Sequence, residues 1–308
     1  MKRPKVFILE NVKGITTLHR GKYLRTIIKS LRSIVDALGN PIYTIHHQVM
    51  NTKEHGLPQS RPRWYCVGVS KDVEAEATRF EFPKPIPCPP IDELLDGVGQ
   101  PRSKNPAQLQ SLSETVRQNI QKAYMRINQE EMHSDKSHGS SKSQSTYVVD
   151  CDASKSRSSF MKEQSPCLTR SRFNGHWVSS RNRRMNVHEM MRLQGVDPQT
   201  FVYDISDQEI GRQLGNAMSV NVIERLLHSI FSSTNTLPQS EETVDRWKTG
   251  QALRHLQSSI DVSFKHTRPM GKVSGRVLSS HGIREYLLDS GATYHLVGRS
   301  YLAAEETR

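Results

Sequence analysis

The sequence predicts an α/β fold: a partial doubly wound sheet of the Rossmann-like kind that lacks its N-terminal strands, with a small irregular region and a poorly ordered tail. Three observations predict it. Val6, Phe7, Ile8 and Leu9 form an uninterrupted apolar run, which reads as a strand buried on both faces. The stretch KYLRTIIKSLRSIVDAL then places Leu24, Ile27, Ile28, Leu31, Ile34, Val35 and Leu38 at helical spacing, with Lys29, Arg32 and Asp36 on the opposite face. Two β-prone segments follow, YTIHHQVMN and RWYCVGVS. Strand, helix, strand and strand in that order suit the later half of a doubly wound sheet.

The elements divide the chain into four regions. Residues 1–80 form the later half of the core, and Gly39-Asn40-Pro41 closes its helix. Residues 81–165 open on the proline-rich FEFPKPIPCPPIDELLDGVGQPRSKNP, which reads as a connection. A weak helical pattern runs there from Ser113 to Met132, and HSDKSHGSSKSQS is a low-complexity polar loop. Residues 166–232 regain order. Asn186 with Glu189, and Ser206 with Glu209, carry the spacing of capped helix starts. A further helix puts Val220, Ile223, Leu226, Leu227 and Ile230 on one face, and residues 233–308 are a polar tail.

Composition narrows the class. A net charge of +12 in 308 residues favours a polyanionic partner, nucleic acid first. Only 35% of residues are hydrophobic and the mean hydropathy is −0.63, which is lean for a uniformly packed globule of this length. Cys66, Cys88, Cys151 and Cys167 include no C-x-x-C pair, which argues against a zinc site or a disulfide framework. No apolar run reaches a membrane span and the N-terminus has no secretory signal, so the expectation is a soluble intracellular protein without a membrane partner.

Four stretches in order, LENV at 9–12, HGLPQSRPRWYCVGV at 55–69, RRMNVHEMMRLQGV at 183–196 and QLGNAMSVNVI at 213–223, resemble the DNA (cytosine-5)-methyltransferases over roughly residues 5–232. The resemblance implies methyl transfer from S-adenosyl-L-methionine to carbon 5 of cytosine in DNA, the fold of a partial methyltransferase sheet, a reduced target-recognition region and a nuclear location. It gives Glu10 the role of the acid beside N3 and the exocyclic amine of the base. Gln59, Arg61 and Arg63 alternate, so on a strand they share one face. The resemblance assigns both arginines to the flipped-base pocket, where a guanidinium holds a carbonyl oxygen or a phosphate. Asn216 and Ala217 are implied as cofactor contacts, on the expectation that they open a helix whose N-terminus receives the cofactor carboxylate. Arg170, Arg172, Arg181, Arg183 and Arg184, interleaved with Phe173, His176 and Trp177, are the expected DNA-binding cluster. Leu193, Gln194 and Gly195 read as scaffold.

Two family features do not fit into the nine residues ahead of Glu10: the glycine-rich cofactor turn and the Pro-Cys nucleophile loop. Cys88 has a proline on each side but follows the arginine pair, the wrong place for the nucleophile. The expectation is a truncated chain that is inactive alone, or one subunit of a split enzyme completed by a complementary chain. A non-catalytic DNA-binding remnant is the alternative from another class. In the tail, EYLLDSGATYHLVGRS resembles the catalytic loop of copia-type retroelement aspartic proteases, with Asp289 as a half-site carboxylate. One such aspartate cannot form the required pair, so a protease half-site is a remote reading.

Overall fold

The computed structural model describes residues 3–75, 79–97, 111–134, 145–154, 156–234 and 244–260, and the backbone of two strands at Gly275–Ser279 and Gly282–Tyr286. The polar loop expected near 135–144 and Asp289 lie outside the described residues. The chain forms two compact units: one from residues 1–56, 60–88 and 219–251, the other from 57–59, 89–218 and 252–308.

The first unit holds β1 (Val6–Val12), α1 (Lys22–Arg32), β2 (Tyr43–Asn51), β3 (Pro62–Ser70) and a helix at Val220–Ser232, named α5 below. The sheet order is β1-β3-β2, and β3 is antiparallel to both neighbours. The helical crossover from β1 to β2 leaves a slot between two strands of the same direction, and the hairpin return of β3 fills it. The expectation of a doubly wound sheet therefore gives way to a mixed α/β unit whose strands β1, β3 and β2 pair antiparallel. One face carries Trp64, Cys66 and Ile45 against Leu24, Ile27, Ile28 and Leu31 of α1. The other carries Val6, Ile8, Tyr65, Val67 and Val69 against Val222, Leu226 and Ile230 of α5. Helices thus cover both faces, but β1 has β3 as its one strand partner among the described residues, and Leu9 and Val12 are exposed.

Helix α1 stops well before the apolar pattern does. The Asp36 carboxylate accepts hydrogen bonds from the backbone amides of Leu38 and Asn40, each at 2.9 Å, and from the Asn40 side chain at 3.4 Å. A local side-chain acceptor competes with the helix ladder and turns the chain. Ile34, Val35 and Leu38 are consequently exposed.

The second unit contains α2 (Glu114–Ser134), matching the weak helical pattern, and a sheet of order β5-β4-β6-β7. These strands are β4 (Tyr147–Val149), β5 (Phe160–Lys162), β6 (Trp177–Val178) and β7 (Arg183–Arg184). Val116, Ile120 and Ala123 of α2 pack on Val149, Cys151 and Trp177. Then come α3 (Val187–Leu193), β8 (Phe201–Val202), α4 (Asp207–Asn216) and α6 (Gln251–Gln257), and β8 pairs with β9 (Gly275–Ser279), which pairs with β10 (Gly282–Tyr286). Asn186 and Glu189 form a full capping box on α3, and Ser206 caps α4 by accepting from the Glu209 amide. No helix among the described residues is long and apolar enough to cross a membrane.

Candidate functional site

Register brings the predicted acid and one arginine together. Glu10 lies opposite Tyr65 and Val12 opposite Arg63, so Glu10 and Arg63 are diagonal neighbours on the α5 side of the sheet. Arg63 Nε donates to Glu10 Oε1 at 3.1 Å, with side chains 14% and 25% exposed. Glu10 sits within β1, which runs on to Val12. Burial raises the Glu10 carboxyl above its ordinary value, although Arg63, then Arg61, and the hydrogen bond from Arg63 all pull it down. The Tyr65 phenol is pushed far up by burial and by the nearby Glu10, so it stays protonated. The result is a half-buried acid, able to hold a proton, facing two guanidinium groups.

Arg61 reaches this cluster from just before β3 and is 2% exposed. Its backbone N–H donates to Asn51 Oδ1 at 2.8 Å, and its carbonyl accepts from the Thr52 amide at 3.5 Å. Thr52 is tied in turn to Ser219 by a 2.7 Å hydroxyl contact, and its carbonyl accepts from Asn221 Nδ2 at 3.1 Å. Ser219 and Asn221 lie within the QLGNAMSVNVI stretch but carry no expected role there, and Asn51 and Thr52 belong to no motif. Gln59 does not share the strand face with the arginines, because β3 begins only at Pro62. It belongs to the second unit, fully buried, donating to the Leu193 carbonyl at 2.8 Å and accepting from the Leu168 amide at 3.1 Å.

The basic cluster is largely internal. Arg172 pairs with Asp150 through Nε at 2.5 Å and Nη2 at 3.1 Å. Arg181 pairs with Asp92 at 2.8 Å, Arg184 with Asp152 at 2.7 Å, and the buried Arg183 with Glu189 at 2.7 Å through both terminal nitrogens. Glu189 also accepts from the Asp96 amide and, through the capping box, from the Asn186 amide, so Arg183 is part of the helix start. Four of the five arginines expected on DNA thus neutralise carboxylates of their own unit. His176 and Trp177, expected as stacking surfaces, are each 1% exposed; the Trp177 indole N–H donates to the Tyr124 hydroxyl at 3.1 Å. Arg170 is exposed and has no ion pair among the described residues.

Asn216 and Ala217 do not open a helix. Asn216 is the last residue of α4 and Ala217 is its C-cap. A helix C-terminus carries the negative end of the dipole, which opposes an anionic carboxylate. What these residues offer S-adenosylmethionine is the exposed Asn216 amide, a partial fit. The cysteines are poor nucleophiles where their state is defined. Burial pushes the Cys66 and Cys151 thiols up to about 11, and raises Cys88. No group of three or more metal-ligating side chains occurs among the described residues.

Residues 1–232 match the family model described as C-5 cytosine-specific DNA methylase. The chain belongs to this family. The Type II methyltransferase M.NgoBI of Neisseria gonorrhoeae is 32% identical over 224 residues, covering 72% of this chain and 60% of the relative. Type II methyltransferase M.HaeII of Haemophilus aegyptius is 30% identical over 234 residues, covering 76% of this chain and 63% of the relative. The chain therefore spans about 60% of the length of these relatives. The solved methyltransferase EhMeth of Entamoeba histolytica aligns at 17% identity with a TM-score of 0.44, over 75% of this chain and 64% of that one, too loosely to add to the argument.

Proposed function

We propose that this chain supplies the base-recognition part of a DNA cytosine-5 methylation site, with DNA as substrate and S-adenosylmethionine as the methyl donor. The observation that carries the reading is the Glu10–Arg63 pair at 3.1 Å, with Arg61 close enough to bias the same carboxyl while burial keeps its affinity for protons high. Addition of a nucleophile to carbon 6 of cytosine drives electron density toward N3. A protonated carboxyl placed there stabilises that density by donating its proton or a hydrogen bond. Arg61 and Arg63 hold the carbonyl oxygen of the extruded base or the phosphate beside it.

The addition also needs a thiolate, and thiols held at about 11, as at Cys66 and Cys151, are almost wholly protonated at neutral pH. On this reading neither Cys66 nor Cys151 is the nucleophile, and a complementary chain supplies it. Purified alone, the chain is expected to transfer no tritiated methyl group to duplex DNA; measurable transfer would overturn that part of the reading. Co-expression with a chain bearing a glycine-rich cofactor turn and a Pro-Cys loop restores turnover. In that complex Arg61→Ala abolishes turnover, whereas in a DNA-binding remnant it would barely alter DNA affinity. If the protein is instead a DNA-binding remnant, no complementing chain restores activity.

A further inference from the structure

The five-arginine cluster resolves into four paired side chains and one that points outward, and the turn carrying the fifth is held with unusual closeness. Thr169–Phe173 forms a single turn in which Arg172 N–H donates to the Thr169 carbonyl at 2.8 Å and Thr169 Oγ1 meets Ser171 Oγ at 3.1 Å. Three anchors fix it. Its Arg172 grips Asp150 with two hydrogen bonds. Its Phe173 ring is covered by the Arg212 guanidinium, 4.3 Å from the ring centroid. Its backbone lies directly on α4 at Gly211 and Gly215: a methyl group at Gly211 would overlap the Phe173 carbonyl oxygen, and one at Gly215 would overlap the Thr169 carbonyl carbon and the Arg170 nitrogen. Arg170 and Ser171 are left exposed between these anchors.

We propose that this turn is the phosphate-contacting element of the second unit, with Arg170 as the contacting residue and Gly211 and Gly215 as positioning residues that set its distance from α4. The inference rests on the reading that the chain binds DNA. A cation on a pre-ordered turn loses little conformational freedom on meeting a phosphate, whereas the four arginines already paired must break an ion pair first. The glycines act through contact geometry and carry no charge, so their effect on DNA must pass through Arg170.

The test is binding of the full chain to a fluorescently labelled duplex over a series of KCl concentrations. Each phosphate contact adds about 0.9 to the magnitude of the slope of log K against log salt. Arg170→Ala is expected to lower that magnitude by about one, and Lys29→Ala on α1, which removes an exposed charge elsewhere, to leave it unchanged. Gly215→Ala lowers the slope as Arg170→Ala does, and adds nothing further in the Arg170→Ala background. Should Gly215→Ala fail to fold, Phe173→Leu, which removes the stacking partner without changing charge, tests the same coupling. A wild-type slope in Arg170→Ala, or additive loss in the double variant, overturns the inference while leaving DNA binding intact. If the wild-type chain binds no duplex at any salt, the DNA reading itself fails, and this one with it.

Discussion

His55 shows how one side chain couples the proposed pocket to the segment beyond the family match. Its Nδ1 accepts from Arg225 Nη1 at 2.5 Å, and its carbonyl accepts from Asn221 Nδ2 at 2.8 Å. Arg225 also donates through Nε to Asp245 at 2.9 Å and through Nη2 to the Lys84 carbonyl at 2.9 Å. Trp247, just beyond, donates to Glu224 at 2.6 Å and covers Gly56. A protonated imidazole would confront the Arg225 guanidinium, so burial first and Arg225 second lower His55 from 6.5 to about 4, against a small opposing pull from Asp245. Folding thus favours the neutral ring. That contribution is complete above pH 6.5 and is lost as the pH falls toward 4. The displacement is worth roughly 3 kcal/mol at most. Urea unfolding at pH 7.5 and 4.5 should show the wild-type chain losing about 2–3 kcal/mol more than His55→Asn between the two pH values. Equal losses would show that the ring does not titrate against Arg225.

At the scale of elements, close approach explains what hydrophobic pattern alone does not. Gly68 lies opposite Phe7 across β3 and β1, and a methyl group there would overlap the Phe7 ring. Phe7 in turn meets Tyr43 edge-on, with centroids 5.1 Å apart. Gly68→Ala is a change that strand propensity would mildly favour, yet it should destabilise the first unit by about 1–3 kcal/mol through overpacking. Thermal melting reads this directly, and Phe7→Leu should restore part of the loss by removing the obstructing ring. The helix starts at Asn186 and Ser206 were legible because capping is a local, three-residue geometry. The extent of α1 was not, since the apolar spacing through Leu38 is real but Asp36 diverts two backbone amides. Nor was the direction of β3: alternation marks a strand without saying which neighbour it pairs with. Asn216 does not open a helix for a related reason: Gly215 sits inside α4, where the Thr169–Arg170 backbone requires a residue without a side chain, and the helix runs on to Asn216.

For the molecule as a whole, the arginine-rich stretch at 170–184 overstates the basic surface it presents. Within that stretch, Arg172, Arg181, Arg183 and Arg184 are neutralised by Asp150, Asp92, Glu189 and Asp152, and the formal excess of +12, already net of these carboxylates, is carried elsewhere on the chain and by Arg170. Residue types along one stretch of chain could not reveal those distant carboxylates, whereas Glu10 and Arg63 were findable because both lie in recognisable motifs. Duplex binding is accordingly expected to be strongly salt-sensitive but to involve fewer phosphates than the sequence cluster suggests. A salt slope corresponding to five or more contacts from this stretch would contradict the ion-pair assignments. The turn at Asp36 has one more effect, on handling the protein at the bench. By ending α1 early it leaves Leu38 87% exposed beside Ile34 and Val35, while Leu18, Tyr23, Leu9 and Val12 are also open in the same unit. Greasy side chains in such number favour self-association, so the chain should elute from a sizing column at a volume that moves with loading concentration, and polar replacements at Leu38 and Val35 should steady it.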